Sequence, residues 1–223
     1  MHTKIRFFVV NLGFSIEELV ARIKAVANRV PGKVVVVDVG RESESISLYA
    51  FVAREISIAR RDESGDVTWE TVETVDRVPM RIYSARKSIV ISAINPPRGS
   101  RYVDVLMSEV CEGEGYFFEP LEITEPMIRK HVAKFDSARL VSAKVRDFAV
   151  YEGAVGRFEV TSKNGLKEEI APFLEGKYYR MDSLTYELTH RAASFLVAYS
   201  NNGGIKVNSN HLDIMLSSFE GLI

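Results

Sequence analysis

A strand, a capped amphipathic helix and a second strand open this chain, and the same order returns about 109 residues later. In the first instance Lys4 to Asn11 predicts a strand, and Ser15 starts a helix. Glu18 stands three residues after Ser15, the capping-box position from which it reaches back to the free amides of the first turn. Ile16, Leu19, Val20, Ile23, Val26, Ala27 and Val30 recur at helical spacing and give the helix one apolar stripe. Pro31-Gly32 stops it. Lys33 to Val39, with its run of four valines, predicts a strand buried on both faces. In the second instance Tyr116 to Ile123 predicts the strand, and Thr124 caps a helix with Pro126 in its first turn. Met127, Ile128, His131, Val132 and Phe135 form its inner stripe, and Arg139 to Val150 is the strand that follows. A helix with one apolar stripe needs a sheet to cover, so two such beginnings point to two α+β lobes. Residue identity between them is close to nil, and beginnings of this kind are common. The order alone therefore does not establish a duplication.

The remaining segments fill out the sheets. Ser45 to Ala53, Glu55 to Arg61 and Val67 to Val75 predict three strands, with Asp62 to Asp66 as a polar turn. Arg81 to Ile94 reads as extended, Asn95 to Ser100 as a loop, and Ser100 as the cap of a short helix running to about Val110. Gly156 to Ser162 and Tyr178 to Thr189 predict strands, and Gly165 to Leu174 a short helix. Ser194 to Ser200 pairs with Ile205 to Ser209 through Asn201-Asn202-Gly203-Gly204, a strong hairpin signal. A last helix, capped by Ser209 or Asn210, presents Leu212, Met215, Leu216 and Phe219. Cys111-Glu112-Gly113-Glu114-Gly115 marks the boundary. The expected fold class is α+β in two lobes, residues 1–112 and 113–223. Each is a mixed or antiparallel sheet with one or two helices packed on one face.

Composition narrows the function. An apolar content of 46% and a charged content of 26% belong to a globular chain rather than a disordered one. The net charge is -1, so any polyanion must be held by a local patch and not by a global field. The single cysteine, Cys111, forms no internal disulfide and excludes a multi-cysteine zinc site. Phe7 to Val10 is too short for the core of a signal peptide, and no apolar run is long enough to span a membrane. The expected location is cytoplasmic, with no membrane partner and no cofactor.

Such a patch is visible in the way the middle of the chain sorts its charges. From Arg77 to Val103 there are six basic residues, Arg77, Arg81, Arg86, Lys87, Arg98 and Arg101, and no acid. From Tyr102 to Ile128 there are seven acids, Asp104, Glu109, Glu112, Glu114, Glu119, Glu122 and Glu125, and no Lys or Arg. The sharp part is the loop from Pro96 to Tyr102, placed just before a helix start, where free amides attract anions and Gly99 lets a backbone approach closely. Arg98 and Arg101 can grip phosphate with paired hydrogen bonds. Arg86, Lys87 and Ser100 extend the set, and Tyr83 and Tyr102 are the candidates for stacking on bases. The opposing reading is that these arginines simply pair with the neighbouring acidic segment.

Other chemistry is weaker. Val34-Val35-Val36-Val37-Asp38-Val39-Gly40, with the strand after it, resembles the opening of ribonuclease H-like nucleases. That resemblance implies that Asp38 would hold a divalent metal that activates water against a phosphodiester. The segments after it read as turn and strand where that fold wants a helix, and further acids would have to come from Asp147 or Asp182. Cys111 as a nucleophile would need His131 or His190 as its base, yet Glu109, Glu112 and Glu114 around it raise a thiol pKa. His2, His131, His190 and His211 lack metal-ligand spacing. Glu168-Glu169 sit where acids suit a helix dipole. Phosphate-loop, dinucleotide, nucleophile-elbow and zinc-protease motifs are all missing. Phe117-Phe118 and Tyr178-Tyr179 put large rings on both faces of their strands, as core or as a partner contact.

The sequence thus favours a non-enzymatic subunit that binds nucleic acid or assembles with a protein partner. An accessory lobe of a nucleic-acid-processing complex is one example. The alternatives are a metal-dependent nuclease using Asp38 and a purely structural homo-oligomer or scaffold.

Overall fold

The computed structural model describes residues 2–29, 34–40, 45–61, 63–85, 88–98, 101–151, 154–162, 164–166 and 178–223. Strand dominates, the sheet is mostly antiparallel, and four helices are described. Residues 10–118 form one compact unit, and residues 1–9 with 119–223 form a second. The cut falls inside β1 (His2–Leu12), because its early residues pair with a strand near the end of the chain. It therefore does not coincide with the expected boundary after residue 112. No described helix is long and apolar enough to cross a membrane.

In the 10–118 unit, α1 (Ile16–Arg29) buries Ile16, Leu19, Val20, Ile23 and Val26, five of the seven stripe residues read from the sequence; Ala27 is half-buried and Val30 lies outside the described residues. The Glu18 amide donates to Ser15 Oγ at 3.3 Å. The box is not reciprocal, however. The Glu18 carboxylate accepts from Arg22 at 2.6 Å, a stronger charge-assisted partner than a backbone amide. The sheet runs β2 (Val34–Val39), β3 (Ser45–Arg61), β4 (Val67–Ala85) and β5 (Ser88–Ile94), each antiparallel to the next. Three expectations need correction here. The valine strand β2 pairs with β3 alone among the described strands of this unit, and leaves Val35 and Val37 45% and 57% exposed. It is an edge strand and not one covered on both faces. The two strands expected between Ser45 and Arg61 are one. The segment from Val67 likewise continues unbroken to Ala85, in register with β3 over Ser45 to Arg61. Nothing in Arg54-Glu55 interrupts the alternation that carries β3 through.

Helix α2 (Tyr102–Cys111) follows, buries Val103, Leu106, Met107 and Val110, and ends with Glu112 and Gly113 in left-handed conformations. Its N-cap is Arg101; the expected cap, Ser100, lies outside the described residues. Strand β6 (Tyr116–Pro120) crosses the division between the units.

The second unit orders its strands as the start of β1, then β11 (Gly204–Asn208), β10 (Ala193–Ser200), β9 (Arg180–His190), β7 (Ser137–Tyr151) and β8 (Ala154–Thr161), all antiparallel. Helix α3 (Glu125–Val132) has Pro126 in its first turn, and Thr124 stands at its N-cap without a side-chain bond. A 3₁₀ turn, Ser209–His211, leads into α4 (Leu212–Glu220). Phe219 of α4 meets Phe7 of β1 with ring centroids 5.0 Å apart, over a core of Ile5, Val197, Tyr199, Ile205 and Val207. The helix expected at Gly165 to Leu174, with Glu168-Glu169, lies mostly outside the described residues.

Candidate anion-binding surface

The question left by the charge pattern is whether the arginines before α2 are neutralised by the acids after it. Helix α1 answers most of it. Arg22 binds Glu114 at 3.0 Å as well as Glu18, and Arg29 binds Glu112 at 2.5 Å. Asp104, in the first turn of α2, accepts the Tyr116 hydroxyl proton at 2.6 Å. That bond, with burial and the carboxylate charge, pushes the Tyr116 phenol up to about 12. Further on, Glu125 pairs with Arg129 one turn along α3. Four of the seven acids are therefore engaged by partners outside the 77–103 stretch.

Arg98 and Arg101 are exposed, and among the described residues neither makes an ion pair. Arg101 contributes its carbonyl to the first bond of α2, from the Val105 amide at 2.8 Å. Among the described residues no side chain caps that helix start. Both helix starts carry an acid in the first turn: Asp104 of α2 is held by the Tyr116 hydroxyl, whereas Glu17 of α1 is lowered from its usual range chiefly by the Ser15 hydroxyl. A cleft of about 300 Å³ opens beside it, lined in part by Asn11, Phe14, Ser84 and Ser88. The resident carboxylate makes that cleft a poor place for phosphate.

The other expected contacts divide. Arg86, Lys87 and Ser100 lie outside the described residues. Tyr83 and Tyr102 are each only 7% exposed, so neither ring has a face for a base to stack on; this corrects the expected stacking role. Their apolar rings serve the core, and aromatic residues flanking arginines in a sequence do not distinguish the two uses. Farther up β4, Arg77 is exposed and lies over the Tyr49 ring, 3.5 Å from its centroid.

The competing chemistries do not assemble. Asp38 is exposed on the edge strand beside a register shift in β2. No group of three His, Cys, Asp or Glu that could hold a metal occurs among the described residues, so the donor set of a ribonuclease H-like centre is not met there. Cys111 is fully buried. Burial pushes its thiol up, Arg22 opposes the shift and Glu114 adds to it. A thiol-disulfide reagent should leave Cys111 unmodified in the folded protein and react with it completely in denaturant; rapid reaction of the native form would contradict this burial. His131 has both ring nitrogens committed to Tyr199 and Ser218. Phe117 is 58% exposed, so β6 is not covered on both faces, and Tyr178, 70% exposed, lies ahead of β9 rather than in a strand.

No family model matches the chain, and no curated protein does. Among solved structures it has a likeness to DynU16, a protein of the dynemicin biosynthetic locus. The two are 10% identical with a TM-score of 0.20, over 97% of this chain and 94% of that one. So loose a superposition carries no argument about fold or function.

Proposed function

We propose that this protein is a binding and assembly subunit that holds the phosphates of a nucleic-acid strand at the loop ahead of α2, with Arg98 and Arg101 as ligands. The observation that supports it is the open state of these two guanidinium groups while Glu112 and Glu114 are taken by α1. Each guanidinium presents a planar fork that matches two phosphate oxygens. The start of α2 adds its dipole in the same direction, with the Asp104 carboxylate of its first turn held by the Tyr116 hydroxyl. With Tyr83 and Tyr102 buried, binding is to the backbone and indifferent to sequence. Arg86, Lys87 and Ser100 are the further phosphate ligands of this reading, taken from the sequence alone, and the two compact units are the lobes of this subunit.

Fluorescence anisotropy with labelled single-stranded and duplex oligonucleotides tests the proposal. The wild type should bind both at low salt, and the double variant R98E/R101E should bind at least roughly tenfold more weakly. Equal binding by the two proteins, or none by the wild type, would remove the reading.

A further inference from the structure

The hairpin of β3 and β4 outruns everything that covers it. Its root is core, with Ile46, Leu48, Ala50 and Val52 facing Val78, Met80 and Ile82. Beyond Ala53 and Val75 the burial stops on both faces at once, apart from half-buried Ile56, Val72 and Thr74. That leaves a two-stranded ribbon of nine residues a side, some 30 Å long at the usual rise per residue. Val67, Trp69 and Val75 on it are 56%, 71% and 60% exposed. Its described neighbours do not reach it either: β2 pairs with β3 only as far as Ala50, and β5 with β4 only from Met80. Both ribbon edges therefore carry backbone groups with no strand partner among the described residues.

Open edges are templates for further pairing, and proteins normally blunt them with Lys, Pro or a bulge. The outer edge of β4, Val67-Thr68-Trp69-Glu70-Thr71-Val72-Glu73-Thr74-Val75, has no Lys and no Pro, its register with β3 shows no bulge, and its only charges are Glu70, paired with Arg60 of β3, and Glu73. It is also complementary to itself. A two-fold axis at Thr71, with two copies antiparallel, sets Val67 against Val75, Thr68 against Thr74, Trp69 against Glu73 and Glu70 against Val72. Matched valines and threonines are favourable cross-strand pairs, and no like charges stand opposite one another. The same operation at the middle of the exposed part of β3, Ser57, sets Arg54 against Arg60. Charge thus selects β4 over β3 as the pairing edge.

We infer that two copies of this chain associate through residues 67–75 of β4, extending each ribbon into a four-stranded antiparallel sheet about a two-fold at Thr71. This interface is separate from the proposed phosphate surface and does not depend on it. An isologous contact of this kind places Thr71 against itself, which gives a specific test. In sedimentation equilibrium the full-length wild type should dimerise. T71K and T71E, each opposing its own charge, should weaken self-association by at least roughly tenfold, and an equimolar mixture of the two should restore it. Trp69, the only tryptophan of the chain, should shift its emission to the blue as the dimer forms. A wild type that stays monomeric up to roughly 100 μM would overturn the inference. So would T71K and T71E proteins that each dimerise as well as the wild type.

Discussion

Gly203→Ala should destabilise the protein by at least about 3 kcal/mol, seen as a large fall in the urea midpoint. Gly203 holds the β10–β11 turn with φ at 77°, where an L side chain costs about 1–2 kcal/mol. The larger part is steric. An added Cβ would lie 2.5 Å from the Phe7 carbonyl oxygen and 3.0 Å and 3.2 Å from the Leu121 oxygen and nitrogen. These are backbone atoms locked in place: the Phe7 amide donates to Gly203 at 2.8 Å, and the Leu121 amide donates to the Phe7 carbonyl at 2.9 Å. Relieving the clash means loosening those bonds, each worth roughly 1 kcal/mol. Gly65→Ala is the control. Gly65 has a φ of 92° at the tip of the ribbon with nothing within 4 Å, so only the conformational cost of about 1–2 kcal/mol should remain. Equal losses from the two substitutions would contradict the close approach at Gly203.

Removing the imidazole of His131 should cost about as much, and should also remove a pH dependence. His131 is fully buried, edge-on to Phe135, Tyr199 and Phe219. The Ser218 hydroxyl donates to the Ile214 carbonyl at 2.6 Å, so its oxygen is free to accept the Nε2 proton of His131 at 2.7 Å. Nδ1 then accepts from the Tyr199 hydroxyl at 2.8 Å. The ring is neutral with each nitrogen satisfied, and it ties α3, β10 and α4 together. His131→Ala leaves the Tyr199 hydroxyl buried without this acceptor and opens a cavity, at about 3–5 kcal/mol in total.

Burial, helped by the Lys134 charge, pushes the His131 imidazole down to about 4 from its ordinary 6.5. A depressed folded pKa means that the unfolded chain takes up a proton the native state refuses. Stability is therefore fully present above pH 6.5, falls as pH drops towards 4, and levels off below that. The linked loss is about 3 kcal/mol, and it should be missing from the His131→Ala profile. Parallel pH profiles for the two proteins would show that His131 is not the group responsible.

The parts legible in the sequence were those encoded locally. The α1 stripe, the Ser15 cap, the Asn201-to-Gly204 hairpin and the inner face of α3 each rest on residues a few positions apart, and the structure has all four. What the sequence hid was set by distant neighbours. Four consecutive valines look the same whether one face of a strand is covered or both, and Val35 and Val37 fall on a face left open to solvent. Polar residues at Arg54-Glu55 read as a break, yet a ribbon solvated on both sides accommodates charges without bending. Among the site residues, Arg98 and Arg101 are where a polar loop should put them. Tyr83 and Tyr102 are buried by the packing of the unit rather than by their own sequence neighbours. The hidden signal was in helix α1: Arg22 and Arg29 stand seven residues apart on one face, spaced to meet the acids at the end of α2.

The salt dependence of duplex binding tests the central claim most directly. If Arg98 and Arg101 each neutralise one phosphate, the logarithm of the affinity should fall against the logarithm of salt concentration with a slope steeper by about 1.8 for the wild type than for R98E/R101E. Identical slopes for the two proteins would contradict the claim, because the guanidinium groups would then be releasing no counterions from the nucleic acid.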